Sequence, residues 1–230
     1  MNNKTKNILK SIGIILLLLT FSSLFFVIFN INRETINDRQ YLIYYSISNL
    51  ILLGLFIYIY RKTFLKDLSF FKKNFFSNFF TSFKYWIVGF IIMYITNLII
   101  TRILNLNIAD NEISVRNFIN ISPLLMIFNT CIYSPITEEL AFRKSIKDCT
   151  SNKWTYIITS GLLFGLLHIT SYINNPLGIL YLIPYGAFGI SFAALYYKTN
   201  NIYSTISIHA MHNILAITIY LLGASLWKNL

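Results

Sequence analysis

Residues 9–31 read LKSIGIILLLLTFSSLFFVIFNI, and Lys10 is the only charged side chain in this stretch. A helix that crosses a lipid bilayer needs about 20 predominantly apolar residues, so this stretch is long enough to span. Six further apolar runs follow along the chain, at residues 41–60, 83–104, 118–142, 154–170, 177–197 and 202–222. The pattern predicts an all-α, polytopic helical membrane protein with about seven transmembrane helices, within a range of six to eight.

The composition of the whole chain agrees with this prediction. The 230 residues are 56% hydrophobic and only 12% charged, and the mean hydropathy is +0.60. Soluble domains carry about 25% charged residues, so too few charges are present to cover a soluble surface. The first run is longer than the apolar core of a signal peptide and no small-residue cleavage site follows it, so we expect it to be retained. Without linkers or repeats, residues 1–230 are predicted to form a single helical membrane domain.

The net charge of +11 is distributed unevenly over the predicted loops. Basic residues gather before the first run, between the second and third, and between the fourth and fifth, whereas the other loops are close to neutral. By this count 14 of the 19 Lys and Arg residues lie on one side, which the positive-inside rule assigns to the cytoplasm. We therefore expect a multi-pass protein of the cell membrane with a cytoplasmic N-terminus, in contact with membrane lipids and not with nucleic acid. Residues 61–84 mix Lys with Phe and suit an amphipathic helix on anionic headgroups.

Ionisable residues within the membrane are costly, so each one is a candidate functional residue. The first cluster is PITEELAFR at residues 135–143. Glu139 and Arg143 are four residues apart, the spacing of a helical ion pair. Glu138 projects about 100° away around the helix, which leaves it free to act as a general base. The alternative interpretation is an interfacial ion pair with no catalytic role.

Two further clusters contain all three histidines of the chain. Phe164 and His168 share one helix face, and so do His209 and Asn213, because each pair is four residues apart. Either histidine could instead be a structural residue, and for His212 we favour a structural hydrogen bond to a neighbouring helix. Helical rise and the loop lengths place the three clusters at similar depth, about a third of the way into the bilayer from the cytoplasm.

Together, the three clusters resemble the motifs of the CPBP family, the CAAX-prenyl-protease and bacteriocin-processing (Abi-like) intramembrane proteases. Glu138, Glu139 and Arg143 match Glu-Glu-x-x-x-Arg. Phe164 and His168 match Phe-x-x-x-His, and His209 with Asn213 matches His-x-x-x-Asn. The resemblance covers residues 118–222, about half of the chain, which would contain the catalytic helices. It does not extend to His212.

The resemblance implies a role for each matched residue. Glu138 would activate water for attack on a peptide carbonyl, with His168 and His209 orienting that water or binding a metal. Asn213 would stabilise the oxyanion, and Glu139 with Arg143 would support the site. A set of two His and one Glu, here Glu138, His168 and His209, could hold Zn²⁺ or another divalent metal, and the sequence leaves this metalloprotease alternative open.

The functional expectation is an intramembrane endopeptidase that hydrolyses peptide or protein substrates near the cytoplasmic leaflet. The family resemblance further implies a bacterial cytoplasmic membrane and substrates related to prenylated proteins, peptide pheromones or bacteriocins, including bacteriocin self-immunity. One alternative is a non-enzymatic membrane scaffold, or a lapsed protease relative that binds partners through the same cavity. Another is a proton-relaying transporter, against which we find no paired halves with corresponding broken helices.

Overall fold

The computed structural model of the chain describes residues 2–172 and 176–228, and of residues 224–228 the backbone alone. All regular elements within these residues are helices, joined by turns and short loops. The α-helices are α1 (Asn3–Ile28), α2 (Asp38–Lys73), α3 (Phe75–Leu98), α4 (Asp110–Ile121), α5 (Pro123–Ile127), α6 (Ser134–Glu138), α7 (Ser145–Cys149), α8 (Lys153–His168), α9 (Leu182–Thr199) and α10 (Ile202–Lys228). The prediction of an all-α polytopic membrane protein is confirmed.

Five helical stretches of the described chain are long and apolar enough to cross a membrane. They are Asn3–Ile28, Asp38–Lys73, Phe75–Ile103, Pro176–Thr199 and Ile202–Gly223. They correspond to five of the seven apolar runs in the sequence. The fifth run forms α8, whose 16 residues extend only about 24 Å, less than the roughly 30 Å hydrocarbon core.

The fourth apolar run does not form one regular helix with the expected limits. Ser122 is extended, with φ −153° and ψ 92°, and it separates α4 from α5. The residue before a proline is disfavoured in the helical conformation, so Pro123 explains why the helix expected from residue 118 begins at residue 123. From there, consecutive helical segments continue to Cys149, seven residues beyond the expected end.

Two π-helical segments interrupt this path, Phe128–Tyr133 before α6 and Glu139–Lys144 after it. Pro135 lies in the short α-helical piece between them and lacks the N–H that would continue the ordinary hydrogen-bond ladder. Segments of π-helix are rare and often occur at functional sites. Glu138 and Glu139 therefore lie at the junction between an α-helical and a π-helical segment.

The basic segment 61–84 does not form the separate amphipathic helix that its composition suggested. Residues 61–73 continue α2 beyond a kink at Tyr60, where φ is −103° and ψ is 15°, and residues 75–84 already belong to α3. Asn74 forms the connection between them. The segment therefore consists of the end of α2 and the first part of α3, which are joined at Asn74.

Helices α8 and α9 pack closely because glycines line their contact. A Cβ atom on Gly161 would lie 2.5 Å from the Ile190 side chain, and one on Gly189 would lie 2.4 Å from the Gly161 carbonyl oxygen. Small residues allow the backbones of membrane helices to approach in this way. The close approach brings the end of α8, with His168, against the beginning of α9.

Candidate active site

Glu139 is the centre of a buried charged cluster that joins two of the three motifs. Its Oε1 atom lies 2.9 Å from Nδ1 of His209 on α10, and its Oε2 atom lies 3.0 Å from Nε of Arg143. Glu139 and Arg143 are completely buried, and His209 is 6% exposed. Because the Glu139 carboxylate can only accept, Nδ1 of His209 carries the proton. Nε2 of the neutral His209 ring therefore presents a lone pair.

Arg143 also binds the third helix of the site. Its Nη1 atom donates to Oγ of Ser160 on α8 at 3.1 Å, and the guanidinium group lies 4.6 Å from the centre of the Phe164 ring. Ser160 in turn donates to the carbonyl oxygen of Phe142 at 2.6 Å. A buried guanidinium needs several acceptors and an opposite charge, and these contacts supply them.

His168 is oriented by its own helix and by α9. Its Nδ1 atom lies 2.9 Å from the carbonyl oxygen of Phe164, which can only accept, so Nδ1 carries the proton and Nε2 is the acceptor. The Phe164 ring lies 4.6 Å from the imidazole of His168 and 5.9 Å from that of His209, measured between ring centres. Tyr185 stacks on the other side of His168 at 4.6 Å. The imidazole is thus held between two aromatic rings.

Glu138 differs from its neighbour in having no fixed partner. It is partly buried, and its Oε2 atom is buried without a hydrogen-bond partner among the described residues. It lies within electrostatic range of His168 and of the phenol groups of Tyr45 and Tyr133. A carboxylate oxygen that is shielded from solvent and unpaired is available to accept a proton from a bound water molecule.

Asn213 and His212 point in different directions from the same helix. The Asn213 amide donates to the carbonyl oxygen of Thr130 at 2.7 Å, in the π-helical segment before α6. His212 instead lies among aromatic side chains of α3 and α9, with the Phe188 ring 4.4 Å away. Its Nδ1 atom accepts a long hydrogen bond of 3.4 Å from the Trp86 indole. This contact matches the structural role that we expected for His212.

The structure therefore brings together all seven matched residues around the path from Pro123 to Cys149, but it pairs them differently from the expectation. His209 forms its hydrogen bond with Glu139, and His168 lies within electrostatic range of Glu138. The sequence analysis missed Ser160 and Tyr185. Ser160 could have been found, because it precedes Phe164 and His168 at intervals of four residues and shares their helix face. Tyr185 lies in another helix and carries no local signal.

The possible metal was tested against the donor groups. Histidines that bind metals commonly donate their other ring N–H to a carboxylate or a backbone carbonyl, and His209 and His168 do so. However, among the described residues no group of three or more His, Cys, Asp or Glu side chains is arranged to hold a metal ion. The divalent metal stays a prediction.

Comparisons with known proteins give the same family as the motifs. Residues 120–215 match the family model described as type II CAAX prenyl endopeptidase Rce1-like. The resemblance that the three motifs indicated is therefore confirmed over this region, which contains all seven matched residues. No solved structure matches the chain.

Three curated relatives are similar to part of the chain. YdiL of Bacillus subtilis (strain 168), whose name gives it as a candidate membrane peptidase, is 31% identical over 46% of this chain and 41% of its own length. An uncharacterized protein of Mycoplasma capricolum is 36% identical over 45% of this chain and 29% of its own length. The UPF0177 protein YvdC of Lactococcus lactis is 23% identical over 59% of this chain and 52% of its own length. The matched region thus spans about half or less of each relative.

Proposed function

We propose that this protein is an intramembrane endopeptidase in which Glu138 is the general base. The observation that carries the proposal is the contrast between two adjacent carboxylates. Glu139 has two partners: its Oε1 atom is hydrogen-bonded to Nδ1 of His209, and its Oε2 atom lies 3.0 Å from Nε of Arg143 as an ion pair without hydrogen-bond geometry. Glu138 forms no ion pair among the described residues, and its buried Oε2 atom lies in the electrostatic range of His168. Both residues lie in the region that matches an endopeptidase family. Two carboxyl groups in one active site take different catalytic roles when their environments differ.

In the proposed reaction, Glu138 removes a proton from a water molecule while the water oxygen attacks the peptide carbonyl carbon. The lone pair on Nε2 of His168 accepts the second hydrogen bond of this water and fixes its orientation. The proton held by Glu138 then passes to the leaving amine as the C–N bond breaks. The products are a carboxylic acid and an amine, so one water molecule is consumed for each bond cleaved.

The oxyanion formed during attack needs a hydrogen-bond donor. Asn213 uses one amide hydrogen on the Thr130 carbonyl, which fixes the plane of the carboxamide and leaves its second amide hydrogen free for the oxyanion. Glu139 and Arg143 do not react in this scheme. They hold His209, and with it α10, at a fixed distance from the water site.

We further propose that cleavage takes place near the cytoplasmic leaflet. The basic ends of the helices support this proposal through the positive-inside rule, and the site lies close to Arg143 and Lys144 at one end of its helical path. Substrates related to prenylated proteins, peptide pheromones or bacteriocins follow from the family resemblance alone. A role in bacteriocin self-immunity belongs to the same proposal.

The test is peptide cleavage by the full chain purified in detergent, with a synthetic peptide library and a C-terminally prenylated peptide analysed by mass spectrometry. Glu138→Gln is expected to lower the cleavage rate by about 10²–10⁴-fold, the usual contribution of a general base. Its thermal stability should stay unchanged, because Oε2 has no partner to lose. Glu112→Gln, on the exposed surface of α4, is the matched control and should cleave like the unmodified protein.

Cleavage by Glu138→Gln at the rate of the unmodified protein would contradict the proposed role. If the unmodified protein cleaves no peptide but binds members of the same library, the non-enzymatic scaffold is supported instead. Metal analysis of the same purified sample tests the divalent-metal prediction separately, because its result does not depend on which peptide is cleaved.

A further inference from the structure

A large apolar groove runs along the outer surface of the helix bundle, away from the candidate active site. It encloses about 760 Å³ between α3, α8 and α9. Its lining includes Val88 and Ile92 of α3, Leu162 of α8, and Gly186 and Ile190 of α9, with Lys84 as the only charged member. The long apolar stretches that contain α3 and α9 have the length and composition of membrane spans, so hydrocarbon chains surround this groove.

The groove has one basic end. The Ser191 hydroxyl donates to the carbonyl oxygen of Tyr85, which places the middle of α3 beside the second half of α9. Lys84 is the first lining residue along α3 and therefore lies at one end of the groove. Lys153 at the start of α8 lies 5.7 Å from the ring of Tyr197 near the end of α9. Lys153 and Lys198 thus lie at the neighbouring ends of α8 and α9, and Lys84 is the basic residue that lines the groove itself. No ion pair is formed by these three lysines in the described part of the chain, and all three are exposed.

The groove and the candidate active site use opposite faces of α8 and neighbouring positions of α9. On α8, Phe164 and His168 face the active site, whereas Leu162 is two residues, or about 200°, away around the helix. On α9, Tyr185 contacts His168, while Gly186 lines the groove. A ligand in the groove therefore does not have to enter the catalytic cavity.

We propose that the groove binds an anionic phospholipid, with an acyl chain along α3 and α9 and the phosphate at Lys84. An apolar trough among membrane helices suits a hydrocarbon chain, and basic pockets at the cytoplasmic ends of such helices bind anionic headgroups. Among the described residues, the groove lining contains no Asp or Glu that would oppose a phosphate. Gly186 helps to keep the groove open, because a side chain at this position would project into the empty space of the groove. This binding does not depend on the proposed peptidase activity.

The experiment is native mass spectrometry of the full delipidated chain, titrated with phosphatidylglycerol or with phosphatidylcholine of the same acyl chains. Gly186→Leu fills the groove and should abolish the specific lipid adduct. Gly54→Leu is the matched control, because Gly54 of α2 is exposed and also has open space around its Cβ position.

Lys84→Gln should weaken phosphatidylglycerol binding about fivefold, the effect of one basic residue near an anionic surface, and leave phosphatidylcholine binding unchanged. Lys62→Gln, on exposed α2, controls for general charge.

The expected pattern is therefore a loss of adduct in Gly186→Leu alone and a headgroup-dependent loss in Lys84→Gln alone. Equal effects of Gly186→Leu and Gly54→Leu would overturn the proposal, and so would equal effects of the two lysine substitutions. A dimer that disappears in Gly186→Leu while the lipid adducts remain would assign the groove to a second copy of the chain and likewise overturn it. Thermal unfolding of each variant identifies any loss that is due to misfolding. If Gly186→Leu unfolds, Gly186→Val gives the same comparison with a smaller side chain.

Discussion

Two Glu–Arg pairs in this chain have the same spacing of four residues but very different surroundings. Glu112 and Arg116 on α4 lie 3.0 Å apart with side chains 42% and 41% exposed. Glu139 and Arg143 also lie 3.0 Å apart, and both side chains are completely buried. Exposed pairs contribute about 0–1 kcal/mol to stability, whereas breaking a buried pair leaves an uncompensated charge and costs about 3–5 kcal/mol.

Substitution of Arg143 by Met is therefore expected to destabilise the protein by several kcal/mol, of the order of 3–5. The removed guanidinium also binds Ser160 and covers the Phe164 ring, so packing is lost together with charge. Arg116→Met provides the control at identical spacing and should cost at most about 1 kcal/mol. Thermal unfolding of both variants in the same detergent measures the difference. Equal melting temperatures would contradict a structural role for the buried pair.

The sequence could predict the contact of Glu139 with Arg143 but not its contact with His209. The spacing of Glu139 and Arg143 on one helix face depends only on local geometry, and it correctly identified their ion pair. The contact between Glu139 and His209 joins residues 70 positions apart, so it depends on how α10 packs against the interrupted fourth run. Sequence periodicity cannot distinguish Glu138 from Glu139 as the partner of a distant histidine, because the two side chains are adjacent in the chain.

At the scale of helices, the sequence indicated where apolar runs occur, and local backbone chemistry decided where helices begin and end. Pro123 moved the start of the fourth run by five residues. The π-helical segments on both sides of Ser134–Glu138 could not be predicted, because the motif spacing was interpreted with ordinary α-helical geometry. Asp67 belongs to the segment 61–84 that we expected on the membrane surface, yet it is buried in α2 with 5% exposure.

The position of Asp67 explains how α10 is held. The Oδ2 atom of Asp67 accepts the backbone N–H of Ile202, the first residue of α10, at 2.9 Å. The Asn201 side chain donates to the backbone carbonyl oxygen of Asp67 at 2.8 Å. The first N–H groups of a helix have no partner within that helix, so a carboxylate supplied by another helix serves as its cap. Since α10 carries His209 and Asn213, this cap fixes the level of both side chains.

We expect Asp67→Ala to destabilise the protein by about 1–2 kcal/mol, the usual effect of losing a helix cap, and to lower peptide cleavage as α10 shifts. Asp67→Asn keeps an acceptor oxygen and should retain most of the stability. Asn37→Ala is the control, because Asn37 caps α2 on the exposed surface by accepting from the backbone of Gln40. It should cost a similar free energy without a specific effect on cleavage. If both alanine variants lower cleavage equally, the cap does not act through α10.

In the molecule as a whole, the N-terminal helices α1 and α2 help to position the candidate site, which their generic sequences did not indicate. Asn49 of α2 donates to Oδ1 of Asn129 at 2.8 Å, and Asn129 donates to Oγ of Ser46 at 2.7 Å. Ser22 of α1 joins the same network by donating to Asn49. Asn129 lies in the π-helical segment that also accepts from Asn213. Because polar groups buried in a membrane protein must be paired, this network fixes α1 and α2 against the helical path that carries Glu138.

The distribution of charge makes a further prediction about the orientation of the molecule. The basic ends of α2, α3, α8 and α9 place the candidate site toward the cytoplasm only if the N-terminus is also cytoplasmic. Lys6 and Glu34 are both exposed and lie at opposite ends of α1, so a cysteine at each position reports a different side of the membrane. The native Cys149 is a poor reporter, because burial raises the pKa of its thiol and leaves little reactive thiolate at neutral pH.

A membrane-impermeant maleimide applied to intact cells should therefore label Glu34→Cys and not Lys6→Cys, in a background where both native cysteines are replaced by alanine. Lysis should make Lys6→Cys reactive, which shows that its thiol is accessible and that the membrane had protected it. The reverse labelling pattern would place the N-terminus outside and the candidate site near the outer leaflet. The cytoplasmic-leaflet part of the proposed function would then be wrong, whereas the chemistry assigned to Glu138 would stand, because it depends on local contacts alone.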